Sequence, residues 1–128
     1  MPRATQHTVC LENRPGQLAK LAGALKRAKV NILAISVVDS TDTGLVRLLT
    51  DNSGKAGQAL TRAGMKPTRQ SVLVVRLPNE RGALEHVCAR LAEDGVNVNY
   101  AYGSVAKEAK QGMLVLGVDC LDTALKAL

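Results

Sequence analysis

The chain contains no Trp and no Phe, and its aromatic side chains of any size are Tyr100 and Tyr102. Its core must therefore be built from Leu, Val, Ile and Ala, which pack well without aromatic anchors. A surface that binds nucleic acid by stacking bases on rings is short of rings. Cysteine is scarce too: Cys10, Cys88 and Cys120 are odd in number and far apart, which argues against a disulfide framework and against a zinc site. A reduced, cytoplasmic protein is expected. No apolar run approaches the roughly 18 residues of a membrane-spanning helix, and residues 1–7 lack the apolar segment of a secretory signal. No membrane association is expected. What the chain does carry is a net charge of +6, all of it in the first half: residues 1–66 hold ten Lys/Arg against four Asp/Glu, and residues 67–128 hold seven of each. Lys20, Lys26, Arg27 and Lys29 fall on or just after one expected helix, where they read as a solvated face or as a surface for an anionic partner.

The sequence is one unit written twice. At an offset of 66, Asn13 meets Asn79, Gly16 meets Gly82, Leu18 meets Leu84, Leu25 meets Leu91, Val30 meets Val96 and Asn31 meets Asn97. At an offset of 68, Gly44 meets Gly112, Leu48 meets Leu116, Asp51 meets Asp119 and Leu60 meets Leu128. A two-residue difference in one turn accounts for the change. The unit, roughly 65 residues, is longer than most solenoid repeats and close to the smallest folding domain. The expected boundaries are 1–70 and 71–128.

Within a unit the hydrophobic period changes in a fixed order. His7 to Leu11 reads as a strand, and from Pro15 onward Leu18, Leu21, Ala22, Leu25 and Ala28 recur at helical spacing. Val30 to Val38 is β-branched and apolar, Asp39 to Gly44 supplies turn chemistry, and Leu45 to Thr50 is a third strand. A helix follows over about Lys55 to Ala63, closed by Gly64, and Met65 to Gln70 is a candidate fourth strand. The order β-α-β-β-α-β predicts a ferredoxin-like α+β unit with two helices on one face of an antiparallel sheet. The second unit repeats this from Ser71 but ends at the image of Leu60, without room for a complete fourth strand. The edge so left unpaired is expected to be covered by the neighbouring unit or a partner chain, to lie exposed, or to mark a chain cut short.

Each first strand runs into a loop with an Asn and a Gly, Glu12-Asn13-Arg14-Pro15-Gly16-Gln17-Leu18 in one unit and Asn79-Glu80-Arg81-Gly82-Ala83-Leu84 in the other. The free N–H groups at a helix start attract carboxylates. A Gly lets a ligand approach the main chain, and Pro15 stiffens the turn. The plain alternative is a well-made helix start. Asn31 and Asn97 open the second strands, an unfavourable place for Asn, and their amides offer the donor and acceptor that a zwitterion needs; as corner residues they would need no ligand.

Taken in order and present twice, Asn13-Arg14-Pro15-Gly16-Gln17-Leu18, Leu21, Leu25 and Val30-Asn31-Ile32, with Gly95-Val96-Asn97-Val98 closing the second copy, resemble a tandem pair of ACT domains. The resemblance implies a non-catalytic regulatory module that binds a small amino acid where two units meet, and that pairs into dimers. It carries the site to Asn13, Pro15, Gly16, Gln17, Leu18 and Asn31, and to Asn79, Gly82, Ala83, Leu84 and Asn97. Arg81 departs from the pattern by standing where Pro would be, so the second loop is the looser candidate. A metabolic-enzyme partner, regulated by this chain as a subunit, is the companion expectation.

Other chemistry is weak. Ser53-Gly54-Lys55 lacks the spacing of a phosphate loop, and no nucleophile elbow or metal-spaced Cys/His set is present. His86 turns off the apolar stripe and should be exposed. No cofactor, no metal and no catalysis are expected. RNA binding is the competing class for a basic ferredoxin-like sheet, but the third strands offer Val46, Leu48, Leu114 and Leu116 in place of aromatics. Tyr100 and Tyr102 alternate onto one face of the second strand, to line a pocket, a unit contact or a half-buried core.

Overall fold

The computed structural model describes residues 2–128. Six strands and four helices follow one another as β1 (Arg3–Glu12), α1 (Gln17–Arg27), β2 (Ile32–Asp39), β3 (Thr43–Thr50), α2 (Ser53–Arg62), β4 (Thr68–Pro78), α3 (Ala83–Glu93), β5 (Val98–Ser104), β6 (Gln111–Val118) and α4 (Leu121–Ala127). They form two compact units, one of residues 5–70 and one of Ser71–Leu128 together with residues 2–4.

In the first unit the strands lie in the order β2-β3-β1, all antiparallel. The start of β4 runs beside β1, where Gln6 Nε2 donates to Gln70 Oε1 at 3.1 Å and Thr68 Oγ1 donates to the Thr8 carbonyl at 3.4 Å. Register sets Val9 opposite Val46 and His7 opposite Leu48. The period-two face of these strands meets the helical stripe of Leu21, Leu25, Ala56, Ala59 and Leu60, and together they make the core. Each fully buried Leu in it contributes on the order of 2 kcal/mol by leaving water. Asn52 caps α2 by accepting from the Lys55 N–H at 3.0 Å, and Gly64 at φ +85° turns the chain away after it.

The second unit repeats the plan with strands in the order β4-β6-β5. Leu73 stands opposite Leu116, and both join Val87, Leu91, Ala124 and Ala127 in a core of its own. Its fourth strand comes from the other end of the chain. The Val74 N–H donates to the Pro2 carbonyl at 2.6 Å, and Arg3 Nη2 donates to Asp122 Oδ1 of α4 at 3.1 Å. The edge that the sequence leaves open is therefore covered by residues 2–4, from the stretch expected to form the neighbouring unit, which is one of the covers expected for it.

Two further expectations are corrected. The strands expected at Met65 to Gln70 and at Ser71 to Leu77 are one strand, β4, whose first three residues belong to the first unit and whose remainder belongs to the second. No Gly, Pro or turn cluster interrupts Gln70-Ser71, so nothing there bends the backbone, whereas Pro67 delays the strand start to Thr68. Likewise β1 begins at Arg3, four residues before His7, because its opening residues serve the second unit.

Candidate functional site

The helix starts decide the shape of the two loops. Gly16 at φ +88° and Gly82 at φ +84° are the N-caps of α1 and α3, both left-handed and both without a side-chain cap. A side chain at either position would be strained by the backbone angle, although a Cβ on either would meet no atom within 4 Å. The space beside the main chain is open, and the first N–H groups of each helix lack an intrahelical acceptor. Pro15 is not the first helical residue; it stands in the turn before the cap, and the helix begins at Gln17.

The loops share a frame but differ in how their asparagines are engaged. The Asn13 N–H donates to the Asp42 carbonyl in the β2–β3 turn at 2.9 Å, while its amide reaches the Ser40 carbonyl only at 3.5 Å. In the second unit the Asn79 N–H donates to the Lys110 carbonyl at 2.9 Å. There the amide donates to the Ala109 carbonyl at 2.8 Å and the Lys107 carbonyl at 3.2 Å, tying down the β5–β6 turn. At the second strands, the Asn31 N–H donates to Asp51 Oδ1 at 2.9 Å and the Asp51 N–H returns a bond to the Asn31 carbonyl at 3.0 Å. The pair Asn97 and Asp119 does the same at 2.9 and 3.1 Å. The Asn97 amide is then spent on Asn99 Oδ1 at 2.9 Å, whereas the exposed Asn31 amide has no hydrogen bond to any described residue. Asp51 and Asp119 were visible as repeat partners in the sequence, but their role as clamps on Asn31 and Asn97 was not.

Within one unit the loop and the strand-opening Asn are far apart. Asn13 is fixed at the β2–β3 turn and Asn31 at the other end of β3. The eight residues of β3 span roughly 26 Å. The candidates of the first unit thus form two groups, Asn13, Pro15, Gly16, Gln17 and Leu18 at one end and Asn31 at the other. Those of the second unit divide in the same way, with Asn79, Gly82, Ala83 and Leu84 apart from Asn97.

Beside the first loop lies a cavity of about 570 Å³ lined by Glu12, Arg14, Gln17, Lys20, Met65 and Thr68 among others. Arg14 is held there by Glu12, Nε to Oε2 at 2.6 Å. Beside the second loop a cavity of about 450 Å³ takes Arg76, Arg81, Gly82, Ala83, His86 and Arg90 in its wall. Leu18 and Leu84, one residue into each helix, are 44% and 51% exposed, apolar groups at the mouth of each loop.

A family model described as an ACT domain pair matches residues 3–128. The chain belongs to this family. No curated protein matches the sequence. Among solved structures, a protein of Bacteroides thetaiotaomicron is similar over 99% of this ACT pair and 87% of its own chain, at 25% identity and a TM-score of 0.93. The ligand-free regulatory subunit of aspartate kinase from Thermus thermophilus covers 98% of the pair and 89% of its own chain at 15% identity and a TM-score of 0.70. The corresponding subunit from Thermus flavus covers 99% and 94% at 15% identity and a TM-score of 0.61. The two subunits share the fold with this ACT pair. Among its described residues no helix is long and apolar enough to cross a membrane, and no three metal-ligating side chains cluster.

The third strands are aliphatic, with Val46, Leu48, Leu114 and Leu116 buried in the cores. Tyr100 and Tyr102 are half-buried. They stand opposite Gly117 and Val115 in the register, on the face turned away from the helical core that holds Leu114 and Leu116. Gly117 leaves the space for the Tyr100 ring, which a Cβ there would overlap. His86 is exposed.

Proposed function

We propose that this ACT pair is a regulatory sensor of a small amino acid, without catalysis of its own, and that the ligand sits between two copies of the chain. The observation that carries the reading is the unspent polar capacity of the first unit: an open helix start at Gly16 and an Asn31 amide that no described residue satisfies. The Gln17 N–H already reaches the Arg14 carbonyl at 3.4 Å, so the carboxylate of the ligand would take the N–H groups of Gly16 and Leu18, and the Asn31 amide would meet its ammonium or carboxylate.

Because loop and Asn31 lie at opposite ends of one unit, a second copy must supply the other half. The edge strand β2 offers the surface. Ile35 and Val37 stand opposite the core residues Leu48 and Val46, so they point to the helix side, yet they are 42% and 51% exposed, with Leu33 at 52%. The equivalent positions of the second unit are Asn99, Ala101 and Gly103. An apolar edge on one unit and a polar or small-residue edge on the other favour the first as the dimer surface. A twofold pairing of β2 strands would run antiparallel, which brings Asn31 of one copy to the Asn13–Leu18 end of the other. The ligand then shifts the population toward the arrangement it bridges.

Likeness to regulatory subunits of aspartate kinase suggests that the reader of this shift is a metabolic enzyme bound by the chain. A thermal-shift screen over the twenty amino acids tests the reading. A ligand at 100 times its Kd adds about 2.7 kcal/mol and raises the midpoint by several degrees. A response to one or two small amino acids, lost in Asn31→Ala, is the expected result. No response to any of them, with RNA stabilising the protein at low salt, would overturn it.

A further inference from the structure

Among the described residues His7 is the one buried His or charged side chain, 1% exposed, and neither of its ring nitrogens has a hydrogen-bond partner among them. Leaving such a group unsatisfied costs about 1–3 kcal/mol, so its position calls for a reason. It lines a cleft of about 540 Å³ between α2 and the start of β4, with Ser53, Gly54, Gly57, Arg62 and Arg69 in the same wall. That volume is in the range of a small-metabolite pocket. The cleft lies wholly within residues 5–70.

Its chemistry is of one sign. Arg62 from α2 and Arg69 from β4 reach it, no Asp or Glu lines it, and across the sheet β3 places the apolar Leu48 opposite His7. The helix that forms the other wall begins there. Ser53 and Gly54, the first two residues of α2, line the cleft, and their N–H groups have no intrahelical acceptor. The Asn52 cap is already committed to Lys55, and Thr61 Oγ1 donates to the Gly57 carbonyl at 2.8 Å. Gly57 brings bare backbone against the imidazole: a Cβ there would stand 3.1 Å from His7 Nε2.

We propose that this cleft is a second ligand site, separate from the loop site, for a small metabolite bearing a carboxylate or phosphate group held by His7, Arg62 and Arg69. The two guanidinium groups supply charge at the exposed rim, and the imidazole at the floor supplies a directed N–H. Burial first, and the Arg69 charge second, lower the His7 pKa, so the ring is neutral near pH 7 and offers one donor. A bound anion reverses the Arg69 effect and raises that pKa. Anion binding and His7 protonation therefore reinforce each other.

The chain has two histidines, so imidazole nitrogen NMR of the full-length protein resolves them, with His86→Gln giving the assignment. The probes are sulfate, whose charge is constant across the pH range, and succinate, each titrated against chloride at matched ionic strength. The expected result is a saturable shift of the His7 signals by at least one probe, with a raised His7 midpoint and binding roughly tenfold tighter for each unit of that rise once His7 is protonated. Sulfate alone identifies phosphate-type ligands, and succinate alone carboxylates. Arg69→Gln and Arg62→Gln, both at exposed positions, should weaken the response at least several-fold, while Asn31→Ala leaves it intact. No shift with either probe, an equal shift at His86, or an undiminished response in Arg69→Gln would overturn the proposal and make His7 a core residue only.

Discussion

Asn13 and Asn79 occupy the same place in their units and do different work. The Asn79 amide holds two carbonyls of the β5–β6 turn, while the Asn13 amide has one long contact at 3.5 Å. A well-formed hydrogen bond of this kind contributes about 1 kcal/mol. Asn79→Ala should therefore lower unfolding free energy by about 1–2 kcal/mol, and Asn13→Ala by less than about 0.5 kcal/mol, as measured by urea titration of each variant. Amino-acid affinity should respond in the opposite order, falling in Asn13→Ala and little changed in Asn79→Ala. Two residues that align in sequence would thus be separated by function, one structural and one poised for a ligand.

At the scale of elements, the glycine caps are where loop and helix are decided. Gly16 sits at φ +88° with nothing within 4 Å of a Cβ position, so the effect of a side chain is conformational and not a clash. Gly16→Ala should cost about 1 kcal/mol, and Gly16→Asn less, because Asn tolerates the left-handed region. Midpoints of chemical unfolding for the two variants check the order. The element types were legible in the sequence because the hydrophobic period switches cleanly between helix and strand, as at Leu18 to Ala28 and Leu45 to Thr50. The loops were legible because they recur. The join between Gln70 and Ser71 was not, since a strand that passes from one unit to the next carries no turn residue to mark the passage. Nor was the partner of Val74: nothing in Pro2-Arg3-Ala4 records that it lies beside a strand some seventy residues away. The cleft at His7 went unread for a similar reason. Its wall comes from β1, α2 and β4, and no local motif joins them.

At the scale of the whole molecule, the two units are unequal copies. The first carries the net positive charge, an Asn31 amide with no partner among the described residues and the apolar edge of Leu33, Ile35 and Val37; the second carries committed asparagines and an edge of Asn99, Ala101 and Gly103. On the proposed reading, a charge on the first edge should separate the copies: Ile35→Lys or Val37→Lys is expected to run as a monomer in light scattering and to bind the amino acid at least tenfold more weakly. Ala101→Lys, at the matching place on the second edge, should remain dimeric. A dimeric Val37→Lys with unchanged affinity would move the dimer surface elsewhere.

The backbone bond from Val74 to Pro2 and the ion pair from Arg3 to Asp122 set an order of events during synthesis. Pro2 and Arg3 emerge from the ribosome before Val74 and Asp122 are made. Residues 2–4 must wait until the chain has grown by the 119 positions that separate Arg3 from Asp122 before their place in the second unit exists. Closing that long loop is slow compared with the local pairing of β2 with β3 or β5 with β6. Completion of the second unit is therefore sensitive to whatever restrains residues 2–4.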